Sequence, residues 1–214
     1  DRVACGFPDV LPKGIWVGNP LRPEMTRLPP PTTRLADRQG PVRLLVLGGS
    51  QGASALNDVI PRGLALIDAD ARPQVVHQAG EKHLEALQHN YAAAGVQAHC
   101  AAFIEDMAGA YEWADLVIRR AGALTVAELA ATGVASVLVP FPYAVDDHQT
   151  ANVRFLSLAG GAVLLPQAEL TPETISRLCH TPVGQLRAMA EKAREMARPE
   201  ATEEVARMCE ELAK

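Results

Sequence analysis

The sequence predicts an α/β protein built on a Rossmann-like, doubly wound parallel sheet. Three observations carry that expectation. From Val42 onward, short apolar runs alternate with longer amphipathic ones, the rhythm of βα units whose strands are covered by helices on both faces. Two of the apolar runs break at glycine and pass straight into a helical pattern, in "LLVLGGSQGA" and "DLVIRRAGALT". The chain has 214 residues, 48% of them hydrophobic, enough to bury one large core.

Arg43–Leu47 is the first expected strand of that sheet, closed by Gly48 and followed by a helical pattern at about Ala53–Ile67. Gln74–His77, Ala98–Phe103, Asp115–Ile118, Ser136–Pro140 and Ala162–Leu165 repeat the short apolar signature. The stretches between them, at about Lys82–Ala94, Met107–Trp113, Thr125–Thr132 and His148–Leu158, read as helices. Beyond Pro166 come "LTPETISRLCH" and two charged amphipathic stretches, Val183–Ala197 and Glu200–Leu212, parted by Arg198-Pro199, where proline interrupts a helix. These read as helices that cover the sheet. "RLPPPTTRLADRQGP", Arg27–Pro41, holds four of the sixteen prolines and has no periodicity, so it is expected to be an exposed connector.

A net charge of −5 supplies no positive field for nucleic acid or anionic lipid. Cys5, Cys100, Cys179 and Cys209 are far apart and form no C-x-x-C pair, as expected of reduced thiols rather than a zinc or redox site. No apolar stretch approaches the roughly 20 residues of a membrane span, and the chain reads as soluble and untargeted. It opens without Met, in "DRVACGFPDVLPKGIWVGNP", as a fragment that starts partway through a longer protein would.

Three stretches could carry chemistry. Gly48, Gly49, Ser50, Gln51 and Gly52 lie between a strand and a helix, where backbone N–H groups and the positive helix end favour an anion. Neither the dinucleotide spacing nor a P-loop is matched, and simple βα punctuation is the alternative. In "DLVIRRAGALTVAELAATG" a second strand breaks at glycine before a helix, and Glu128 lies on the same helical face as the phosphate-ready turn. Its carboxylate could accept both hydroxyls of a ribose diol, or could be a surface residue that favours the first helical turn. In "VPFPYAVDDHQTANVRFL", Asp147, His148, Gln149 and Asn152 offer amide and carboxylate partners for a hydroxyl-rich ligand. The alternative makes Asp146 or Asp147 an N-cap and His148 a solvated side chain. Asp146, Asp147 and His148 are adjacent and point in different directions, so no metal site is expected.

With these stretches in order, the chain resembles the MurG family of bacterial glycosyltransferases, which transfer N-acetylglucosamine (GlcNAc) from UDP-GlcNAc to a lipid-linked muramyl-pentapeptide. "GNPLR", "GGSQGA", "FIEDM", "RAGALTVAE" and "PFPYAVDDHQTAN" fall in the family's order and spacing. The resemblance covers nearly the whole chain but only the carboxyl-terminal half of the two-domain GT-B architecture. It implies that residues 1–18 are a remnant strand and hinge of the amino-terminal domain, and that 19–214 form the UDP-GlcNAc-binding Rossmann-like domain. Arg22 and Ser50 match positions at the diphosphate and its surroundings. Ile104 matches the residue at the uracil, Ala123, Leu124, Thr125, Val126 and Ala127 the helix start aimed at the phosphates, and Glu128 the holder of the ribose hydroxyls. Gln149 with His148 matches the contact to GlcNAc. Arg120 and Asn152 belong to the pattern without a firm role.

The resemblance further implies an inverting displacement, in which the muramyl 4-hydroxyl attacks the anomeric carbon and UDP departs, without metal or other cofactor. The general base, the face that meets lipid I and the membrane contact would all lie in the amino-terminal domain, on the cytoplasmic side. This chain alone would therefore bind donor without turnover, and no catalytic residue is expected in it. Two rivals are another UDP-sugar GT-B enzyme such as a UDP-GlcNAc epimerase, against which the "GGSQGA" and "DDHQTAN" pair argues, and a non-catalytic nucleotide-sugar binding module.

Overall fold

The computed structural model describes residues 2–48, 53–142 and 148–213, without the side chain of His148. Six strands form one parallel sheet: β3 (Arg43–Leu47), β4 (Gln74–Gln78), β5 (His99–Ala101), β6 (Leu116–Arg119), β7 (Ala135–Leu138) and β8 (Ala162–Leu164). Their order is β5-β4-β3-β6-β7-β8, so the chain steps outward from β3 to β5, returns to the other side of β3, and steps outward again to β8. This is the doubly wound arrangement that the alternating pattern predicts. The expected strand Ala98–Phe103 shrinks to His99–Ala101, and Phe103 is exposed.

Helices α3 (Ser54–Ala65), α4 (Leu84–Ala93), α5 (Met107–Trp113), α6 (Ala123–Thr132) and α7 (His148–Ser157) connect the strands. Strand residues alternate between two cores, because successive side chains leave opposite faces of a sheet. Leu44, Val46, Leu116 and Ile118 pack with Leu56, Ile60 and Leu64 of α3 and Leu87 of α4. Leu45, Leu47, Val117 and Leu138 pack instead with Tyr111 of α5, Val126 and Leu129 of α6, and Val153 and Leu156 of α7. Three further helices cover this frame: α8 (Pro172–Cys179) lies on α3, α9 (Val183–Glu195) lies on α6 and β7, and α10 (Ala201–Leu212) follows Arg198-Pro199. The four cysteines are free thiols.

The connector has more structure than the sequence reading gives it. It is preceded by the short helix α1 (Pro23–Thr26) and contains another, α2 (Pro31–Arg34), and although most of it is exposed as expected, it is anchored at Leu28, Pro31 and Leu35, which are buried. Arg34 donates to the carbonyls of Thr132 (3.0 Å) and Gly133, the C-terminal end of α6. Arg38 pairs with the buried Asp115 at 2.7 Å, and Asp115 also accepts from the Arg43 amide at 2.8 Å. Buried charges are tolerated when paired and hydrogen-bonded in this way. Ahead of it, β1 (Ala4–Cys5) and β2 (Ile15–Trp16) form a separate parallel pair. Phe7 and Trp16 meet Phe155 of α7 edge to face at 5.2 and 5.7 Å, and Arg198 lies 3.8 Å over the Trp16 ring.

A linked set of polar groups is buried against the first core. His77 is fully buried between Tyr91 Oη, 2.9 Å from Nδ1, and Asn57 Oδ1, 3.1 Å from Nε2. An amide oxygen only accepts, so Nε2 carries the proton and Nδ1 accepts from the tyrosine. Burial pushes the His77 pKa down to about 3. Between about pH 6.5 and that value the unfolded chain binds a proton that the folded chain refuses, so stability falls as the solution is acidified through this window. Urea unfolding followed from pH 7 to pH 4 is expected to show that loss, and His77→Gln is expected to flatten it relative to the parent chain.

Candidate functional site at the carboxyl edge of the sheet

Parallel pairing sets the ends of the strands level. Leu47 is opposite Arg119 across β3 and β6, and Arg119 is opposite Leu138 across β6 and β7. The segments that leave these strands therefore emerge side by side, about 4.8 Å from strand to strand, at the switch point where the order reverses and ligands of open α/β sheets bind. Gly48 continues the ladder through its amide to Gln78 O, at 3.0 Å. Ser50, with Gly49, Gln51 and Gly52, lies outside the described residues, as do Asp146 and Asp147. Ala53 resumes the chain as the first residue of a helix start with no side-chain cap and no acidic group in its first turn.

The start of α6 has the same character. Gly122 caps it without a side-chain hydrogen bond, and no acidic residue lies in the first turn. The first backbone bond runs from the Val126 amide to Gly122 O at 3.1 Å. The amides of Ala123, Leu124 and Thr125 precede that bond and have no partner within the helix. Ala123 and Leu124 are exposed, whereas Thr125 is buried. Val126 is fully buried in the second core and its amide is already engaged, so it serves the helix rather than a surface. Ala127 is half-buried.

Glu128, one turn farther along, is partly buried and already partnered. Tyr111 Oη donates to Oε2 at 3.1 Å, and Arg119 Nη1 lies 3.4 Å from the same oxygen. Arg119 also donates to the Tyr111 hydroxyl. Burial above all holds that hydroxyl well above the ordinary tyrosine range, with the Arg119 charge drawing it partly back. The sequence reading missed Tyr111 and Arg119. The available signal was a basic pair, Arg119-Arg120, ending a buried apolar strand.

Arg120 ties neighbouring strand ends together. Its guanidinium donates to Val139 O at 3.3 Å, Pro140 O at 3.2 Å and Gln167 Oε1 at 2.7 Å, and lies 5.5 Å from the Phe141 ring centroid. Asn152 Nδ2 donates to Ala121 O at 3.3 Å, linking α7 to the loop before α6. Gln149 Oε1 accepts from the Phe141 amide at 2.9 Å, which leaves its NH2 group for any further contact. These amides therefore organise the loops. His148 begins α7. Ile104 follows β5 at the same edge, partly buried against the second core. Arg22 is exposed, precedes α1, which packs on α6, and pairs with Glu24 at 3.3 Å.

Sheet order, bare helix starts and a shared carboxyl edge define a Rossmann-like, doubly wound α/β domain with an anion-ready edge. Comparison with known proteins narrows this. Residues 43–212 match the glycosyltransferase family 28 C-terminal domain, and the chain belongs to that family. The UDP-N-acetylglucosamine--N-acetylmuramyl-(pentapeptide) pyrophosphoryl-undecaprenol N-acetylglucosamine transferase of Dechloromonas aromatica is 63% identical over 100% of this chain, which spans 61% of that protein. The enzyme of the same name from Azoarcus sp. is 60% identical over 97% of this chain, which covers 59% of it. The crystal structure of MurG from Acinetobacter baumannii, 39% identical, superposes with a TM-score of 0.87 over 96% of this chain and 59% of its own. A UDP-GlcNAc 2-epimerase from Neisseria meningitidis shares only the fold, at 10% identity and a TM-score of 0.52, over 85% of this chain and 47% of its own. The chain thus spans about three-fifths of the curated relatives it matches. Among the described residues, no helix is long and apolar enough to cross a membrane.

Arg120→Met removes charge-assisted bonds to three acceptors and is expected to lower stability by about 2 kcal/mol, read as the urea midpoint. Arg120→Lys is expected to recover less than half of that, because one ammonium cannot span the fork.

Proposed function

We propose that this chain is the donor-binding half of an inverting glycosyltransferase that moves GlcNAc from UDP-GlcNAc to undecaprenyl-pyrophosphoryl-MurNAc-pentapeptide, converting lipid I to lipid II in peptidoglycan synthesis. The observation that carries the reading is the juxtaposition, on adjacent strand ends, of two uncapped helix starts with a carboxylate one turn along. The first suits a diphosphate and the second a ribose diol. The names of the relatives support the same donor and acceptor.

In this reading the diphosphate lies on the amides of Ala123, Leu124 and Thr125 and against the Gly-Gly-Ser-Gln-Gly segment that includes Ser50, with Arg22 as a guanidinium partner. Glu128 accepts the ribose hydroxyls, Ile104 borders the uracil, and Gln149 with His148 meets GlcNAc. As the muramyl 4-hydroxyl attacks the anomeric carbon, negative charge grows on the departing UDP, and preorganised N–H donors stabilise it by roughly 3 kcal/mol each. Acceptor, general base and contact with the cytoplasmic face of the membrane belong to the part of the relatives that this chain does not span. Without that opposing wall the acceptor hydroxyl is not aligned, so donor binding and transfer separate.

Calorimetry tests the reading. UDP-GlcNAc is expected to bind the chain, UDP to compete and ADP to fail, because a uracil site bordered by Ile104 excludes a purine. Glu128→Ala is expected to weaken binding by about 1–3 kcal/mol. With a lipid I analogue added, the chain alone is expected to give no lipid II product. Equal competition by UDP and ADP would contradict the uracil assignment, and unchanged affinity in Glu128→Ala would remove that residue from the site.

A further inference from the structure

The Glu128 carboxylate is held from the protein side before any ligand arrives. Tyr111 Oη and Arg119 Nη1 both reach Oε2, at 3.1 and 3.4 Å, and Arg119 also donates to the tyrosine hydroxyl. Tyr111 is fully buried between α5 and the sheet, which fixes the hydroxyl in place. The Arg119 and Glu128 side chains are only 16% and 21% exposed, so solvent screens their charges in part. Both bonds end on one oxygen, and Oε1 takes no part in them.

This arrangement answers an electrostatic difficulty. Glu128 lies five residues beyond Ala123, about 7.5 Å of helix rise from the amides that favour an anion, and within a Debye length of them. A bare carboxylate there would repel a diphosphate held by the same helix start. We propose that Arg119 is a positioning residue for a nucleoside diphosphate: together with Tyr111 it fixes the Glu128 carboxylate, and its charge cancels that carboxylate beside the anionic part of the ligand. The inference rests on the proposed reading of Glu128 and goes beyond it, assigning control of charge to a residue that touches no ligand. A purely structural tie among α5, β6 and α6 would instead support nucleoside and diphosphate alike.

Titrating the chain with uridine and with UDP, each followed by amide shifts, separates these possibilities. Arg119→Met is expected to weaken UDP about tenfold and uridine less than about threefold, the size of one partly screened charge. Arg119→Lys keeps the charge and is expected to stay within about threefold of the parent for UDP. Arg119→Gln, which loses the charge but can still reach Tyr111, repeats the comparison if the Met variant folds poorly. Equal losses for the two ligands in the neutral variants, or no loss of UDP affinity while Glu128→Gln weakens uridine, overturns the role of Arg119 and leaves Glu128 in the site. Unchanged uridine affinity in Glu128→Gln removes the reading of Glu128, and the inference with it.

Discussion

Parallel pairing in register brings the site together. Because Leu47, Arg119 and Leu138 lie opposite one another across β3, β6 and β7, the loops beyond them start at one level and on one edge. β6 then feeds α6, whose first amides precede the first helical bond and lack a partner within the helix. A register slip of one residue in β6 would turn Val117 from one core to the other and would displace Arg119 and Arg120 from the loops they organise. The two apolar cores resist such a slip, so packing far from any ligand decides where the phosphate-ready amides lie.

Side chains at the edge convert level strand ends into fixed loops. Arg120 joins the end of β6 to the carbonyls beyond β7 and to Gln167 beyond β8. Asn152 joins α7 to the loop that opens α6, and Gln149 joins α7 to the Phe141 amide. Arg119 and Tyr111 do the same for the Glu128 carboxylate. Each bond satisfies a polar group that is partly withdrawn from water, which offsets its desolvation and limits the positions that the loops adopt. A loop ordered in advance gives up less entropy when a ligand arrives.

Much of the fold was legible because central strands such as β3 and β7 are covered on both faces and read as largely apolar runs that lead into glycine or proline. The strand Arg43–Leu47 followed from that pattern, and the interruption at Arg198-Pro199 from a proline between two amphipathic stretches. The anchoring of the connector was not legible, because Leu28 and Leu35 have no period and Arg34 and Arg38 are held by partners remote in sequence, the carbonyls that end α6 and Asp115. At the candidate site, helical spacing singled out Glu128 as a candidate. The same spacing was silent about Tyr111 and Arg119, which meet it from another helix and from a strand. Gln149 and Asn152 read as amides free to face a cleft, whereas the backbone of neighbouring loops engages both. Val126 fell within the family pattern, yet its side chain is in the core.

The central claim is that neighbouring strand ends along one edge of one sheet jointly grip a uridine diphosphate sugar. Mapping the amide shifts of the chain on saturation with UDP-GlcNAc tests it most directly. The account predicts that the perturbed amides gather at Ala53, Ile104, Ala123 to Thr125, Glu128 and Gln149, while Arg43, Gln74 and Asp115 at the amino edge stay still. Shifts concentrated at the amino edge, or divided between the two edges, would contradict it.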